Sequence, residues 1–369
     1  MPEPWNIPFS IPYLTREDEA AVAKCLRETR LSQGKYVETF EKEFAEYVGT
    51  KHAIATSNGT TALHTALAAM NVKEGDEVIV PSFSFIATAN CVLYQRSKPV
   101  FVDVDSQTFN IDPEKIEQKI TKRTKAIIPM DYGGQPCDMD EINEIARDHS
   151  LMILEDSAEA HGSKYKSKMA GNLGDAGIFS FYPNKNITTG EGGMVTTNSD
   201  EIARKARLIR SHGQDSRYHH IMLGYNYRMT DIQASLGVSQ LHRLNTVIAM
   251  KKRLAEYYDD QISQHCKDVT VPFVKNDRTH TYMFYSICFP SQKHRDRSEL
   301  MLEKSGIETR IAFPPIHLQP LYRELFGFTE GYLPVTEDLA NRILSLPMYP
   351  TMQKADQDYV VNALKAAGR

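Results

Sequence analysis

The sequence predicts an α/β fold: a large domain with a mostly parallel central sheet flanked by helices, followed by a smaller α+β domain. Short β-branched runs alternate with helical segments through the first two-thirds of the chain, which is typical of a parallel sheet. Beyond Asp231 this alternation gives way to helical spacing. We place the large domain at residues 1–240 and the small domain at residues 241–369, and we expect the first ~15 residues to pack with the small domain.

Four short apolar runs, each bounded by charged or turn residues, predict central strands of this sheet. Strands of a parallel sheet are buried on both faces, so they are continuously apolar rather than alternating. The predicted strands lie at residues 77–80, 99–103, 125–129 and 151–154, and helices are expected at residues 61–70 and 139–149.

The segment that starts at Asp231 predicts one long amphipathic helix leaving the large domain. Its apolar residues recur at helical spacing, with Arg and Lys between them: Ile232, Leu236, Leu241, Leu244, Ile248 and Leu254. An aromatic run at residues 281–287 then predicts a strand, and helical segments follow it. This order is expected of an α+β C-terminal domain.

The composition is that of an ordinary globular protein, with 41% hydrophobic and 24% charged residues. A formal net charge of -4 provides no basic surface for nucleic acid or for an anionic membrane. Any cationic patch must therefore be local and suited to a small anionic ligand. No apolar run approaches the roughly 20 residues that span a bilayer.

The cysteines and the N-terminus predict a cytoplasmic protein. The five cysteines form no Cys-x-x-Cys pair, and their odd number argues against a disulfide framework. Free thiols are the expected state in a reducing compartment. The first residues lack the basic and apolar regions of a signal peptide.

Lys185 lies in the most informative stretch, residues 179–193, where an apolar aromatic run precedes a turn rich in Gly and Thr. A partly desolvated lysine at such a strand end loses its proton more readily and can form a Schiff base with an aldehyde. The alternative is an ordinary surface lysine. Gly190, Gly192 and Gly193 do not form a dinucleotide-binding loop, because that fingerprint opens a helix and these glycines precede a strand-like run.

Asp156 belongs to the motif Glu-Asp-Ser-Ala, which begins at Glu155 directly after the predicted strand at residues 151–154. Ligand groups in α/β folds lie at the C-terminal ends of parallel strands. A carboxylate there can pair with a protonated ring nitrogen and make a pyridine ring an electron sink, although it can equally cap the following turn. His161 has no second His or Cys at ligand spacing, so we interpret it as structural and expect no metal.

A small polar loop at residues 56–61 opens an Ala- and Leu-rich helix. Free backbone amides at a helix start form an anion site, with Gly59 allowing close approach and Thr60 or Thr61 adding a hydroxyl. Taken alone, the same residues are an ordinary helix N-cap.

These motifs together resemble the DegT-type nucleotide-sugar aminotransferases. The phosphate loop, Glu-Asp-x-Ala, Ser-Phe-x-x-x-Lys and Gly-Tyr-Asn-Tyr-Arg-Met-Thr-Asp occur in the family's order, and the likeness extends over residues 11–350. Family members are pyridoxal 5'-phosphate (PLP) enzymes with the aspartate aminotransferase fold, fold type I. Each motif by itself has low specificity for the family, but four motifs in the family's order are highly specific.

The resemblance implies a role for each motif residue. Lys185 would bind PLP covalently and then move protons, and Asp156 would pair with the pyridine nitrogen. Phe85 would stack on the ring, although by itself it is a core phenylalanine. The phosphate would be bound by Gly59, Thr60 and Ser180.

The resemblance also implies a homodimer with shared active sites. Asn226 matches a residue that reaches the phosphate from the other subunit, with Arg228 as a helper. A monomer would then have an incomplete site.

Glu159 favours a 4-keto-6-deoxyhexose as the acceptor, because Glu at this position resembles perosamine synthases, whereas many members have Gln or His. It would lie near the ring hydroxyl of the cofactor and the sugar. The family reaction implies L-glutamate as amino donor and a ping-pong mechanism through pyridoxamine phosphate. A 3-ketosugar or a cyclitol ketone stays open as the acceptor.

The acceptor's nucleotide diphosphate needs cations, for which Arg217, Arg310 and His317 are candidates. The alternative for each is an ordinary salt bridge. Two other functions remain: a PLP-dependent sugar dehydratase, which has His in place of Lys185, and a non-catalytic regulatory protein of the same fold. The intact motifs argue against both.

Overall fold

The computed structural model describes residues 6–28 and 30–367. The strands are β1 His52–Thr56, β2 Glu77–Pro81, β3 Lys98–Val102, β4 Thr124–Ile127, β5 Met152–Asp156, β6 Lys164–Tyr165, β7 Lys168–Met169, β8 Ala176–Ser180, β9 Gly193–Thr197, β10 Gln214–Ser216, β11 His219–His220, β12 Tyr285–Cys288 and β13 Ile343–Leu346. The helices are α1 Arg16–Leu26, α2 Lys35–Val48, α3 Gly59–Ala69, α4 Ala87–Tyr94, α5 Met139–Asp148, α6 Asp200–Arg210, α7 Asp231–Leu241, α8 Leu244–His265, α9 Gln292–Lys304, α10 Pro320–Phe326, α11 Pro334–Arg342 and α12 Lys354–Ala367.

A seven-stranded sheet organises the molecule, with strand order β1-β9-β8-β5-β4-β2-β3. Neighbours from β8 to β3 pair in parallel, whereas β9 is antiparallel to both β1 and β8. The predicted α/β fold with a mostly parallel sheet is confirmed. The four predicted strands are β2 to β5 and the two predicted helices are α3 and α5, each within two residues at either end.

The long helix predicted from Asp231 is wrong, because the structure divides it into α7 and α8. The break lies at Arg243, whose backbone leaves the helical region with φ -117° and ψ 7°. The Arg243 guanidinium forms an ion pair with the buried carboxylate of Asp18, and Gln240 donates to the same carboxylate over 2.9 Å. Contacts with the segment around α1 therefore hold the bend.

The strand predicted at residues 281–287 is only partly correct, because β12 begins at Tyr285. The amides of Thr281 and Met283 donate instead to the carbonyls of Gly134 and Gly133, over 3.1 and 2.7 Å. This segment is therefore tied to the turn after β4 rather than to β13, the partner of β12.

A second apolar core lies around β12, β13 and the helices α8, α9 and α12. Ile7 belongs to this core, and its backbone pairs with Ile307 through bonds to Gly306 and Glu308. The division at residue 240 stays a prediction. What the contacts establish is that the start of the described chain packs against its C-terminal part.

The described residues contain neither a disulfide nor a membrane-spanning helix. All five cysteines are free thiols, and four of them are buried. None of the helices in residues 6–28 and 30–367 is long and apolar enough to cross a membrane. The same ranges hold no cluster of three His, Cys, Asp or Glu side chains suited to a metal ion.

Asp231 caps a helix distant from it in sequence. Gly34, the residue before α2, has no capping side chain. The Asp231 carboxylate accepts hydrogen bonds from the amides of Gly34 and Val37, over 3.0 and 3.1 Å, and is almost fully buried. A Cβ at Gly34 would lie 2.1 Å from Asp231 Oδ2, so this contact requires glycine.

We expect Asp231→Ala to lower the free energy of unfolding by about 2 kcal/mol, because two buried amides lose their acceptor. Asp231→Asn keeps an acceptor oxygen and should lose less. Urea unfolding followed by circular dichroism measures the change, with the exposed Asp260→Ala on α8 as control. An unchanged midpoint for Asp231→Ala would show that the cap contributes nothing.

Candidate active site

Lys185 lies on a compact loop that follows β8 at the C-terminal edge of the sheet. The Phe181 amide donates to the Gly192 carbonyl over 2.8 Å, and the Thr189 amide donates back to the Phe181 carbonyl over 3.0 Å. Phe181 itself is fully buried in the core beside α2. The loop is thus anchored on both sides, and the Lys185 side chain is left only 12% exposed.

Asp156 ends β5, the parallel neighbour of β8. Thr88 Oγ1 donates to Asp156 Oδ2 over 2.7 Å, and the Ala158 amide donates to Oδ1 over 3.3 Å. Burial raises the pKa of the Asp156 carboxyl, while these two hydrogen bonds and the charge of Lys185 oppose that rise. A cation next to Asp156 would therefore stabilise its ionised form.

Glu159 is the nearest carboxylate to the Lys185 amine, with 3.5 Å between Oε1 and Nζ. Its other oxygen accepts a hydrogen bond from the Gly133 amide over 2.9 Å. Burial raises the pKa of the Glu159 carboxyl, and the charge of Lys185 opposes this. Glu159 thus balances the charge of a buried lysine and limits where its amine can lie.

The start of α3 has the geometry of an anion site. Asn58 and Thr61 satisfy each other in a capping box, with bonds of 2.9 and 3.1 Å. The adjacent Gly59 and Thr60 line the cavity, where the first amides of a helix have no partner within the helix. A Cβ on Gly59 would lie 2.8 Å from Ser180 Cβ, so only glycine allows the helix start to approach β8 so closely.

These groups share one cavity of about 760 Å³. Its walls include aromatic and apolar side chains as well as one arginine: Phe9, Leu63, Phe85, Met130, Ile178, Phe284, Arg310, Ile311 and Phe313. Phe85 is 56% exposed, which is high for a phenylalanine and leaves its ring facing the open cavity. Arg310 is ion-paired with Glu308, which also lines the cavity.

The structure does not bring four of the predicted residues into this cavity. Arg217 and Asn226 are exposed, on and just after the β10–β11 hairpin, and Arg228 is half-buried beside Ser211. His317 is fully buried, with its ring nitrogens hydrogen-bonded to Ser82 and Glu337 over 2.7 and 3.1 Å. Within this chain, His317 joins two segments of the fold instead of facing a ligand.

Other residues of the site were missed by sequence reasoning. Thr88 orients Asp156, Glu308 pairs with Arg310, and Phe9 and Ser10 close one side of the cavity. Thr88 stands in a helix without any motif, so no local signal indicates its role. The interpretation of His161 as structural agrees with its position, because its ring is buried between Phe179 and Phe181.

The residues fit the three polar parts of PLP. The Schiff-base lysine and the carboxylate partner of the pyridine nitrogen are the protein groups that PLP chemistry requires, and the α3 start supplies an anion site for the phosphate. All three line the same cavity. The fold and this site together define the class of protein: a PLP-dependent enzyme of fold type I.

Comparisons with known proteins specify the class further. The sequence matches the DegT/DnrJ/EryC1/StrS aminotransferase family over residues 12–365. It is 44% identical to the GDP-perosamine synthase of Caulobacter vibrioides over 364 residues, covering 97% of both chains. It is 36% identical to the UDP-2-acetamido-2-deoxy-3-oxo-D-glucuronate aminotransferase of Pseudomonas aeruginosa, covering 94% of both chains. The structure of Spr1654 from Streptococcus pneumoniae, in its PLP form, superposes with a TM-score of 0.94 at 27% identity, covering 98% of both chains.

The chain belongs to the DegT/DnrJ/EryC1/StrS family, whose members are PLP-dependent sugar aminotransferases. It is therefore an enzyme of that kind, and the resemblance found in its motifs is confirmed. The alternative of a non-catalytic protein finds no support in the site, because lysine, carboxylate and anion site are all in place.

We expect Thr88→Val to weaken PLP binding about tenfold, because Asp156 loses a hydrogen bond that favours its ionised form. The loss should grow as the solution becomes more acidic, since burial raises the pKa of Asp156 and a protonated, neutral carboxyl cannot pair with a ring cation. Fluorescence titration with PLP at several pH values measures this. Thr88→Ser keeps the hydroxyl and serves as control; equal affinities at every pH would contradict the role.

Proposed function

We propose that the enzyme transfers an amino group from L-glutamate to a nucleotide-diphosphate-linked 4-keto-6-deoxyhexose by a ping-pong mechanism. The main support is that Lys185, Asp156 and the α3 anion site line one cavity large enough for a cofactor and a sugar. The name of the C. vibrioides relative, GDP-perosamine synthase, supports a 4-aminated GDP-sugar as the product.

In this proposal each polar part of PLP has its own protein partner. Gly59, Thr60 and Ser180 would bind the phosphate, and Asp156 would pair with the ring nitrogen. Phe85 would stack on the ring, a role that its exposed position in the cavity wall supports. Lys185 would form the covalent link, and Glu159 lies next to its amine.

PLP, when bound, supplies the electron sink that stabilises the carbanion at the reacting carbon. The protein's part is to hold groups and to move protons. Lys185 would be the group that holds and moves a proton at the reacting carbon, a role that typically contributes 10²–10⁴-fold. Asp156 would keep the ring nitrogen protonated, and the hydrogen bond from Thr88 favours the ionised form of Asp156.

The cavity walls support a 6-deoxy sugar. Phe9, Phe284, Ile311 and Phe313 present an apolar surface that suits the methyl group of such a sugar. Arg310, whose guanidinium fork can serve Glu308 and a second anion, is the candidate for the diphosphate. A 3-ketosugar is the second candidate acceptor, favoured by the name of the P. aeruginosa relative.

We propose that two copies of the chain share their active sites. Asn226, Arg228 and Arg217 lie outside the cavity of their own chain, and the segment around the β10–β11 hairpin is unusually exposed. Tyr218 is 78% exposed and Leu223 is 77% exposed, values that a partner surface would reduce. Asn226 and Arg228 would reach the phosphate of the partner's site, and Arg217 its diphosphate substrate.

We also place the enzyme in the cytoplasm. Its five free thiols suit a reducing compartment. Nucleotide sugars are charged and do not cross membranes unaided, so enzyme and substrate would share this compartment.

The amino-acid half-reaction is tested by visible absorbance of the PLP-loaded protein. We expect a lysine-bound cofactor band in the wild type that L-glutamate removes, with release of one 2-oxoglutarate per site. Lys185→Ala should lack this band, because no amine remains to bind the aldehyde. The exposed Lys168→Ala is the matched control and should behave as wild type. A band that L-glutamate leaves unaltered would refute L-glutamate as the amino donor.

The acceptor is identified by adding candidate ketosugars to the aminated form. A GDP-linked 4-keto-6-deoxyhexose should restore the original band and yield the amino sugar. Restoration only by a UDP-linked 3-ketosugar would instead establish the second candidate.

Shared sites are tested by mixing two inactive variants. Lys185→Ala and Asn226→Ala should each be strongly impaired as homodimers. A mixed dimer contains one site with both native residues, so we expect it to have about half the activity of the wild type, as sites act independently. Mixed dimers purified with two different tags are assayed beside each parent, with mass determined by light scattering. Activity that stays at parental levels would indicate that Asn226 serves its own chain.

A further inference from the structure

Two groups that line the cavity lie on one short stretch after β2, residues 82–88, which we call the Phe85 segment. Phe85 and Thr88 both face the cavity. Thr88 donates its only hydroxyl hydrogen to Asp156 over 2.7 Å, so the Ser84 hydroxyl, 2.7 Å from Thr88 Oγ1, must be the donor of that second contact. The position of this segment therefore helps to set where the Phe85 ring and the Asp156 carboxylate lie.

The Phe85 segment is anchored at its first residue, Ser82, which is fully buried. The Ser82 carbonyl accepts a hydrogen bond from the Ile316 amide over 2.9 Å. Its Oγ accepts from the His317 amide over 3.0 Å and lies 2.7 Å from Nδ1 of the same histidine. These contacts join one serine to two consecutive residues in a distant part of the chain.

The surroundings of the His317 ring determine which nitrogen carries the proton. The Glu337 carboxylate can only accept, so Nε2 of the ring, 3.1 Å from Glu337 Oε1, must carry a proton. Burial lowers the pKa of His317, although Glu337 opposes this shift, so the ring is neutral near pH 7 and Nδ1 is an acceptor. Ser82 therefore donates to Nδ1, and the hydrogen bonds run in one direction from Ser82 through His317 to Glu337.

Glu337 is a fixed end point for this chain of hydrogen bonds. Its Oε1 and Oε2 accept from the amides of Leu333 and Gly331 over 3.1 and 2.7 Å. Burial would raise the pKa of the Glu337 carboxyl, but these amides lower it below its ordinary value, so the group is ionised near pH 7. The first turn of α11, which carries Glu337, is held by Asp103, whose Oδ1 accepts from the amide and the hydroxyl of Thr336 over 2.7 Å each. The anchor therefore extends from the end of β2 to the residue after β3.

We propose that His317 is a positioning residue for the cofactor, because its hydrogen bond with Ser82 fixes the Phe85 segment. The proposal rests on the function proposed above, in which Phe85 stacks on the PLP ring and Asp156 pairs with its nitrogen. Groups that bind a cofactor must be held close to their productive geometry by the residues behind them. Loss of such a support lowers affinity even when the supporting residue does not touch the ligand.

Two substitutions of His317 separate its bond to Ser82 from its bond to Glu337. His317→Asn places an acceptor oxygen near the position of Nδ1 and loses the contact with Glu337, whereas His317→Gln reaches Glu337 and loses the acceptor for Ser82. We expect His317→Gln and Ser82→Ala to bind PLP about tenfold more weakly in a fluorescence titration. His317→Asn should stay within about twofold of the wild type.

The control for the loss of a buried hydrogen bond elsewhere is Tyr258→Phe. Tyr258 is fully buried in the second apolar core, and its hydroxyl donates to the Pro347 carbonyl over 3.0 Å. This variant should have a lower thermal midpoint but the PLP affinity of the wild type. Wild-type PLP affinity in both His317→Gln and Ser82→Ala would overturn the proposal, and so would a loss in His317→Asn as large as that in His317→Gln.

Hydrogen exchange in the cofactor-free protein tests the anchor independently of the proposed function. Amides of the Phe85 segment should exchange about tenfold faster in His317→Gln and Ser82→Ala than in the wild type, because the segment opens more often. His317→Asn and Tyr258→Phe should exchange there like the wild type. Exchange rates that do not differ among these proteins would refute the anchor itself. A wild type that shows the anchor but binds no PLP would instead refute the proposed function, and the role in cofactor binding with it.

Discussion

The parallel pairing of β5 with β8 is the contact on which the site depends. In this register Asp156 is opposite Ile178, so the loop after β8 emerges beside the carboxylate that ends β5. Lys185 and Asp156 are 29 residues apart in sequence, yet neighbouring parallel strands bring their C-terminal ends to the same edge. Even one residue of slip would turn Asp156 to the opposite face of the sheet.

Close packing beside this edge of the sheet leaves no room for a side chain at two positions, one in β8 and one at the start of α3. Gly177 in β8 is opposite Glu155, and a Cβ on it would lie 2.5 Å from the Gly171 backbone. Gly59 meets the same limit at Ser180, where α3 approaches the strand end. The anion site and the lysine loop are therefore adjacent because glycines remove the atoms that would separate them.

Charge burial is the second constraint, and it explains why the site is surrounded by polar contacts. Asp156, Glu159 and Lys185 all lie within the fold, and each loses hydration that neighbours must replace. Thr88, the Gly133 amide and the mutual attraction of Glu159 and Lys185 supply part of this. Two carboxylates and one amine leave an excess of negative charge, which a cation bound next to Asp156 would relieve.

Local sequence was sufficient for the strands β2 to β5, for Lys185 and Asp156 at strand ends, and for Gly59 at a helix start. Each depends on a few consecutive residues, because periodicity, turn chemistry and capping are short-range effects. Tertiary structure decided the bend at Arg243, the late start of β12, the contact of Thr88 with Asp156 and the burial of Lys251 on α8. In each case a side chain or backbone amide meets a partner far away in the chain, and burial determines which partner that is. No local sequence pattern encodes such a long-range contact, because the contact forms only when the sheet and its helices have packed.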